Sequence, residues 1–166
     1  MSDQVLVAGI GNVFLTDDGF GSEVARRLAA YPLPDGVRVT DYGIRGMHLA
    51  YDLLDGYAGL VVIDALPGEG KPGDLSVLEV GPDDLGEGEL DAHGMAPVAV
   101  LASLGQLGGS LPPTYVVGCQ PADVGEGMGL TPEVAAAVEP AIALVFEVLS
   151  EHLAIAAIPP HGKERP

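Results

Sequence analysis

The sequence has little that would tie it to an oxidising compartment, a membrane or a polyanion. It contains one cysteine, Cys119, so no disulfide can form within the chain. Lysine and arginine number 7 against 24 acidic residues, and the net charge of -17 repels nucleic acid and anionic membranes. There is no apolar run of membrane-spanning length, and no signal-peptide pattern at the start. We therefore expect a cytoplasmic protein that binds neither nucleic acid nor membrane.

The length and the hydrophobic pattern predict one domain. A chain of 166 residues can enclose one sizeable core. We expect that core within residues 1–154, and a flexible tail at residues 155–166, where prolines and charges occur without a period. The apolar residues Phe20, Val24 and Leu28 are four positions apart, which predicts a helix, and similar spacing recurs from Pro97 to Leu107. Five short segments rich in β-branched residues are the predicted strands: Val5–Ala8, Val37–Thr40, Leu60–Ile63, Leu75–Val80 and Tyr115–Val117.

Strands that alternate with helices predict an α/β fold in which helices cover both faces of a mostly parallel sheet. The last helix is expected to have Thr131 as its cap and Pro132 at its first position, a placement that helices favour. Its apolar side continues to Leu149, and Pro140 within it predicts a kink.

Ligands of a parallel sheet bind beyond the carboxyl ends of its strands. Glycine or aspartate residues follow three of the predicted strands. The first ends at Gly9-Ile10-Gly11, the second at Asp41-Tyr42-Gly43 and the third at Asp64. We expect these three strand ends to line one edge of the sheet.

One interpretation of this edge is a dinucleotide site, because the first turn is glycine-rich and Asp41 stands where such folds hold a ribose. Two features oppose it. Phe14 occupies the position of the third fingerprint glycine, and Asp17 and Asp18 would repel a phosphate. The simplest role for these two acids is helix capping, and we assign Asp17 mainly to that role.

Asp64 indicates a different site. It follows an apolar strand, and a partly desolvated carboxylate is costly unless a cation pairs with it. His93 precedes a predicted helix, whose dipole favours a neutral, metal-binding imidazole. With Asp18, these residues form an oxygen and nitrogen set that suits nickel, zinc, manganese or iron and leaves coordination positions open. We assign structural roles to Cys119 and to the other histidines: His48, His152 and His161.

Five segments in this order resemble the hydrogenase maturation protease family: "GIGNVFLTDDGFG", "DYGIRGMHLAYDLLDG", "VVIDA", "DAHGMAP" and "GCQPADVGEGMGLTPEV". The resemblance runs from about Val5 to Leu149. It implies a three-layer α/β sandwich with a twisted, mostly parallel five-stranded sheet. It also implies an endopeptidase that removes the C-terminal extension of a NiFe hydrogenase large-subunit precursor after nickel insertion.

By this resemblance, Asp18, Asp64 and His93 are the metal ligands, and Asp41 either acts in catalysis or holds the loop from Gly43 to Gly46. We expect the nickel to belong to the substrate, and no tightly bound organic cofactor. Hydrolysis then depends on the metal, which can polarise the carbonyl or its water, or on an aspartate such as Asp41 as general base. The alternative functions are a dinucleotide-binding module and a different metal-dependent hydrolase.

Overall fold

The computed structural model describes residues 4–81, 101, 104–105 and 107–153. Its sheet has the strand order β2-β1-β3-β5-β4. All neighbouring strands are parallel except β4 and β5, which are antiparallel. The predicted α/β fold with a mostly parallel five-stranded sheet is therefore confirmed. The strands are β1 (Val5–Ile10), β2 (Val37–Gly43), β3 (Gly59–Ala65), β4 (Leu75–Val80) and β5 (Thr114–Cys119).

Helices lie on both faces of the sheet and enclose two apolar layers. Successive side chains of a strand point to opposite faces, so Val7 and Val61 pack in one layer while Leu6 and Leu60 pack in the other. The first layer lies under α1 and α4, and the second under α2. The helical elements with described bounds include a 3-10 helix (Thr16–Gly19), α1 (Phe20–Leu28), α2 (Gly46–Leu53), α3 (Pro132–Ala135) and α4 (Val138–Glu151).

The last predicted helix is two helices, and this corrects the expected kink. The chain leaves α3 through a bond from Ala137 N–H to the carbonyl of Val134, three residues back, and α4 begins at Val138. Pro140 thus lies in the first turn of α4, where a backbone N–H would have no helical partner. Its missing N–H costs nothing there, so the proline does not kink a helix.

Several predictions lie outside the described residues. They concern His93 and His161, most of the helix from Pro97 to Leu107, and the tail at 155–166. Among the helices of the described part, none is long and apolar enough to cross a membrane.

Candidate active site

The carboxyl ends of β2, β1 and β3 meet at one edge of the sheet, as the sequence predicts. Gly9 of β1 pairs with Asp41 of β2 on one side and with Ile63 of β3 on the other. Asp64 directly follows Ile63, so the acids that end β2 and β3 flank the end of β1. The 3-10 helix that carries Asp18 begins a few residues beyond that end.

A glycine in the first turn of α1 allows close packing of that helix on the sheet. A Cβ on Gly21 would overlap the carbonyl oxygens of Ile10 and Ile63, so α1 can approach the sheet only with glycine there. The backbone N–H groups of the glycine-rich turn after β1 also have protein acceptors. Gly11 N–H donates to the carbonyl of Gly43 (3.0 Å), and Asn12 N–H donates to Asp18 Oδ2 (3.0 Å).

These bonds bear on the dinucleotide interpretation, because a phosphate site needs free N–H groups at the turn. Asp18 occupies the place of the anion as an internal acceptor for Asn12. The half-buried Asp18 lines a small cleft of about 210 Å³ with Gly11, Gly43 and Ile44. This cleft presents a carboxylate, and a cation suits it better than a phosphate does.

Asp64 is the second carboxylate of the site and is only 6% exposed. Its Oδ1 accepts a hydrogen bond from the N–H of Ala65 at 2.8 Å. Burial raises the pKa of Asp64 well above its usual range; the Ala65 bond lowers it, and the charge of Asp18 raises it further. The described residues place no lysine or arginine in an ion pair with Asp64. Two neighbouring carboxylates without a basic partner fit a site that binds a divalent cation.

The structure describes two members of the predicted metal trio. His93 lies outside the described residues, and within them no group of three or more His, Cys, Asp or Glu side chains is close enough to hold a metal. The assignment of Asp18, Asp64 and His93 as ligands therefore stays a prediction.

Asp41 is exposed and lies on a larger cleft than Asp18 does. This cleft has a volume of about 550 Å³ and is also lined by Arg26, Arg27 and Met128. Asp41 Oδ1 accepts a hydrogen bond from Gly43 N–H (3.0 Å), where the chain turns with a positive φ of 58°. This bond fixes the start of the loop that forms one wall of the Asp18 cleft.

Asp17 has a structural role that the sequence does not reveal. It is fully buried, and neither the 3-10 helix nor α1 has a side-chain cap, so the predicted capping role is wrong. Asp17 Oδ2 accepts hydrogen bonds from the N–H groups of Ala122 (2.8 Å) and Asp123 (3.0 Å). Thr131 donates from its N–H to Oδ1 (2.8 Å) and from its hydroxyl to the same carboxylate. Thr131 is the N-cap residue of α3 and Pro132 its first residue, as predicted, but the Thr131 side chain binds Asp17 and makes no cap bond.

The environment of Asp17 keeps it charged. Burial raises its pKa, but the hydrogen bonds from Thr131, Ala122 and Asp123 together outweigh burial and hold the pKa below its usual value. The carboxylate thus joins the segment before α1 to the loop after β5. Because Asp18 is the next residue, this junction also fixes the position of the Asp18 side chain.

The cysteine and two of the histidines lie away from the candidate site. Cys119 is buried, and burial raises the pKa of its thiol to about 11, so it is uncharged at neutral pH and a poor nucleophile. His48 is exposed on α2, and the ring of His152 stacks on Tyr115 with 4.8 Å between the centroids. None of the three lines either cleft of the strand edge.

Comparison with known proteins finds relatives among the hydrogenase maturation proteases. A family model described as hydrogenase maturation protease (HycI) matches residues 22–148. The hydrogenase 2 maturation protease of Escherichia coli K12 is 32% identical over 162 residues, which cover 94% of this chain and 96% of the relative. A putative hydrogenase maturation protease of Methanocaldococcus jannaschii is 32% identical over 148 residues, 86% of this chain and 94% of the relative.

Solved structures agree with the sequence relatives. The hydrogenase maturating endopeptidase HybD from Escherichia coli superposes with a TM-score of 0.78 at 31% identity, over 95% of this chain and 98% of that one. The maturation protease HycI from Thermococcus kodakarensis gives 0.71 at 25% identity, over 89% of this chain and 93% of that one. The protein is therefore an endopeptidase, a hydrolase of peptide bonds. The chain is a member of the hydrogenase maturation protease family.

Proposed function

We propose that this endopeptidase removes the C-terminal extension of a NiFe hydrogenase large-subunit precursor once nickel is in place. The names of its relatives support hydrogenase as the substrate class. The observation that carries the metal part is Asp64, a buried carboxylate that lies near Asp18 and has no basic partner among the described residues. We further propose that nickel borne by the substrate supplies the missing positive charge.

In this proposal, Asp18, Asp64 and His93 bind the nickel of the precursor. Two carboxylates and an imidazole suit a borderline divalent ion and leave positions for substrate ligands. A precursor without nickel would offer no counter-charge to Asp64, so binding would favour the loaded form. Nickel bound in this way is a Lewis acid that can polarise a carbonyl or a water.

The direct test compares nickel-loaded with nickel-free precursor and measures C-terminal truncation by intact mass. We expect truncation of the loaded form only. His93→Ala and Asp64→Asn are expected to lower the rate at least ~100-fold, by analogy with the loss of other metal-site groups. Asp55→Asn, which changes an exposed aspartate at the end of α2, is the matched control and should cut at the wild-type rate.

Two results would contradict this function. Wild-type rates in folded His93→Ala would remove the histidine from the site. Failure to cut a cognate precursor in either form would refute the proposed substrate. In that case, titration with divalent metals and with NAD or NADP would compare the two alternative functions.

Asp41 has a separate proposed role, which is to hold the loop from Gly43 to Gly46. Its only described side-chain bond is to Gly43 N–H, and an asparagine oxygen can accept that bond equally well. Asp41→Asn is therefore expected to cut within about threefold of wild type, whereas Asp41→Ala, which lacks the acceptor, should be about tenfold slower. Inactive but folded Asp41→Asn would identify Asp41 as the general base, because only the charge is lost.

A further inference from the structure

Three large apolar side chains are exposed beside the larger cleft. Val13 is 40% exposed, Phe14 63% and Met128 72%. We call these three residues the apolar ridge. Val13 and Met128 line the cleft of about 550 Å³, together with Leu130 on its wall. Grouped exposed apolar residues usually mark a binding surface, and this group adjoins a site that must receive a protein substrate.

Hydrogen bonds hold the two segments of the ridge side by side. Gly127 N–H donates to the carbonyl of Phe14 (2.9 Å), and Thr16 N–H donates to the carbonyl of Gly127 (2.9 Å). The Thr16 hydroxyl donates to the carbonyl of Gly125 (2.7 Å). The buried Asp17 carboxylate fixes the same two segments from below. The ridge is thus preformed, and binding to it costs little loss of loop freedom.

The charges around the ridge indicate what kind of partner it binds. Asp123 and Glu126 are exposed on the loop that carries Met128. The cleft is also lined by Arg26 and Arg27, which pair with Glu23. Arg27 pairs with Glu139 as well, so the two arginines add little net positive charge. A complementary surface has apolar side chains at its centre and basic side chains at its border. A second copy of this chain, with its net charge of -17, would present the same acidic border and be repelled.

We propose that the apolar ridge and the cleft beside it are the docking surface for the hydrogenase precursor. The precursor is expected to contribute apolar side chains to the cleft and lysine or arginine side chains opposite Asp123 and Glu126. This inference rests on the proposed function. The cleft is also lined by Gly19, the residue after Asp18, so a chain bound there lies next to one of the candidate metal ligands.

The test is steady-state cleavage of the nickel-loaded precursor by the full-length enzyme. The double variant Phe14→Ser/Met128→Ser is expected to raise KM at least ~10-fold, as loss of two central apolar contacts does at interfaces, with kcat within about twofold. Leu78→Ser is the matched control, because Leu78 is 43% exposed but lies on β4 at the sheet edge away from the ridge. It should keep the wild-type KM.

A second variant tests the acidic charges at the border of the apolar ridge. Glu126→Lys is expected to raise KM a few-fold and to weaken the dependence of KM on ionic strength, because an attractive charge has become repulsive. Unchanged KM in the double ridge variant, while the wild type cuts the precursor, would overturn the docking surface and leave the proposed function intact. A dimer that the ridge variant converts to monomer without a change in KM would also overturn it. If the wild type does not cut the precursor, the proposed function fails and the docking surface fails with it.

Discussion

Two aspartates are buried in the part of the chain that the structure describes, and their surroundings have opposite effects on them. Asp17 accepts hydrogen bonds from Ala122, Asp123 and Thr131, and its pKa lies below the usual value although burial by itself raises it. Asp64 accepts one bond from Ala65, and burial raises its pKa. A buried carboxylate whose hydrogen bonds outweigh the cost of burial stabilises the fold, while one whose pKa is raised by burial is typical of a functional site.

Replacement of Asp17 by asparagine tests the structural role at the scale of one residue. We expect Asp17→Asn to lower the free energy of unfolding by about 3 kcal/mol at pH 7, because an amide group would face N–H donors and the charge is lost. Thr131→Val removes only the hydroxyl donor and should cost about 1 kcal/mol. Chemical denaturation of the three proteins measures both values.

The pH dependence gives an independent check on Asp17. Its folded-state pKa is depressed, so its stabilisation is present above the unfolded-state pKa and is lost as pH falls through the folded-state value. The stability difference between wild type and Asp17→Asn should therefore shrink in acid. Equal stabilities at pH 7 would show that the carboxylate does not join the two segments, and exposed Asp55→Asn controls for a general charge effect.

The sequence predicts the burial of Asp64 but not the structural role of Asp17, and the reason is physical. A carboxylate at the end of an apolar strand is visible in one segment of sequence, and the structure buries Asp64 as expected. The partners of Asp17 lie 105 to 114 positions away in the chain. Local preferences therefore assign Asp17 to helix capping, which is the role that its immediate neighbours would allow.

At the scale of elements, the position of α1 depends on glycines that face the sheet. The carbonyl oxygens of Ile10 and Ile63 lie where a Gly21 side chain would begin, and a Cβ on Gly9 would meet Gly21 and Ala25. These glycines are visible in the sequence, but two roles fit them: close approach to a phosphate or close packing of a helix. The structure supports packing, because the N–H groups of Gly11 and Asn12 already have acceptors.

Gly21→Ala tests this packing. The added methyl group would overlap backbone atoms that cannot move freely, so α1 must shift, and we expect a loss of about 1–3 kcal/mol in unfolding free energy. Cleavage should also slow, because α1 and the 3-10 helix with Asp18 are continuous. The same change at Gly105 meets no atom of the described residues within 4 Å and should not destabilise the fold. Thermal unfolding of both variants would reveal the difference, and equal Tm values would contradict the packing account.

For the whole molecule, the alternation of strand and helix patterns is enough to predict the architecture. The five predicted strands occur, and four of them extend beyond the predicted segments because backbone pairing includes glycine and aspartate that propensity excludes. Which strand runs antiparallel could not be predicted, because hydrophobic pattern carries no direction. The two clefts also depend on loops that meet only in the folded chain, and the sequence does not place them.

The long-range bonds of Asp17 have a consequence for the order of folding. Residue 17 leaves the ribosome early, but its last partner, Thr131, follows 114 positions later. The segment that presents Asp18 therefore lacks these bonds until most of residues 1–131 have been synthesised, and long sequence separations of this kind slow folding. The candidate site is thus completed late in biosynthesis, only after residue 131 has joined the chain.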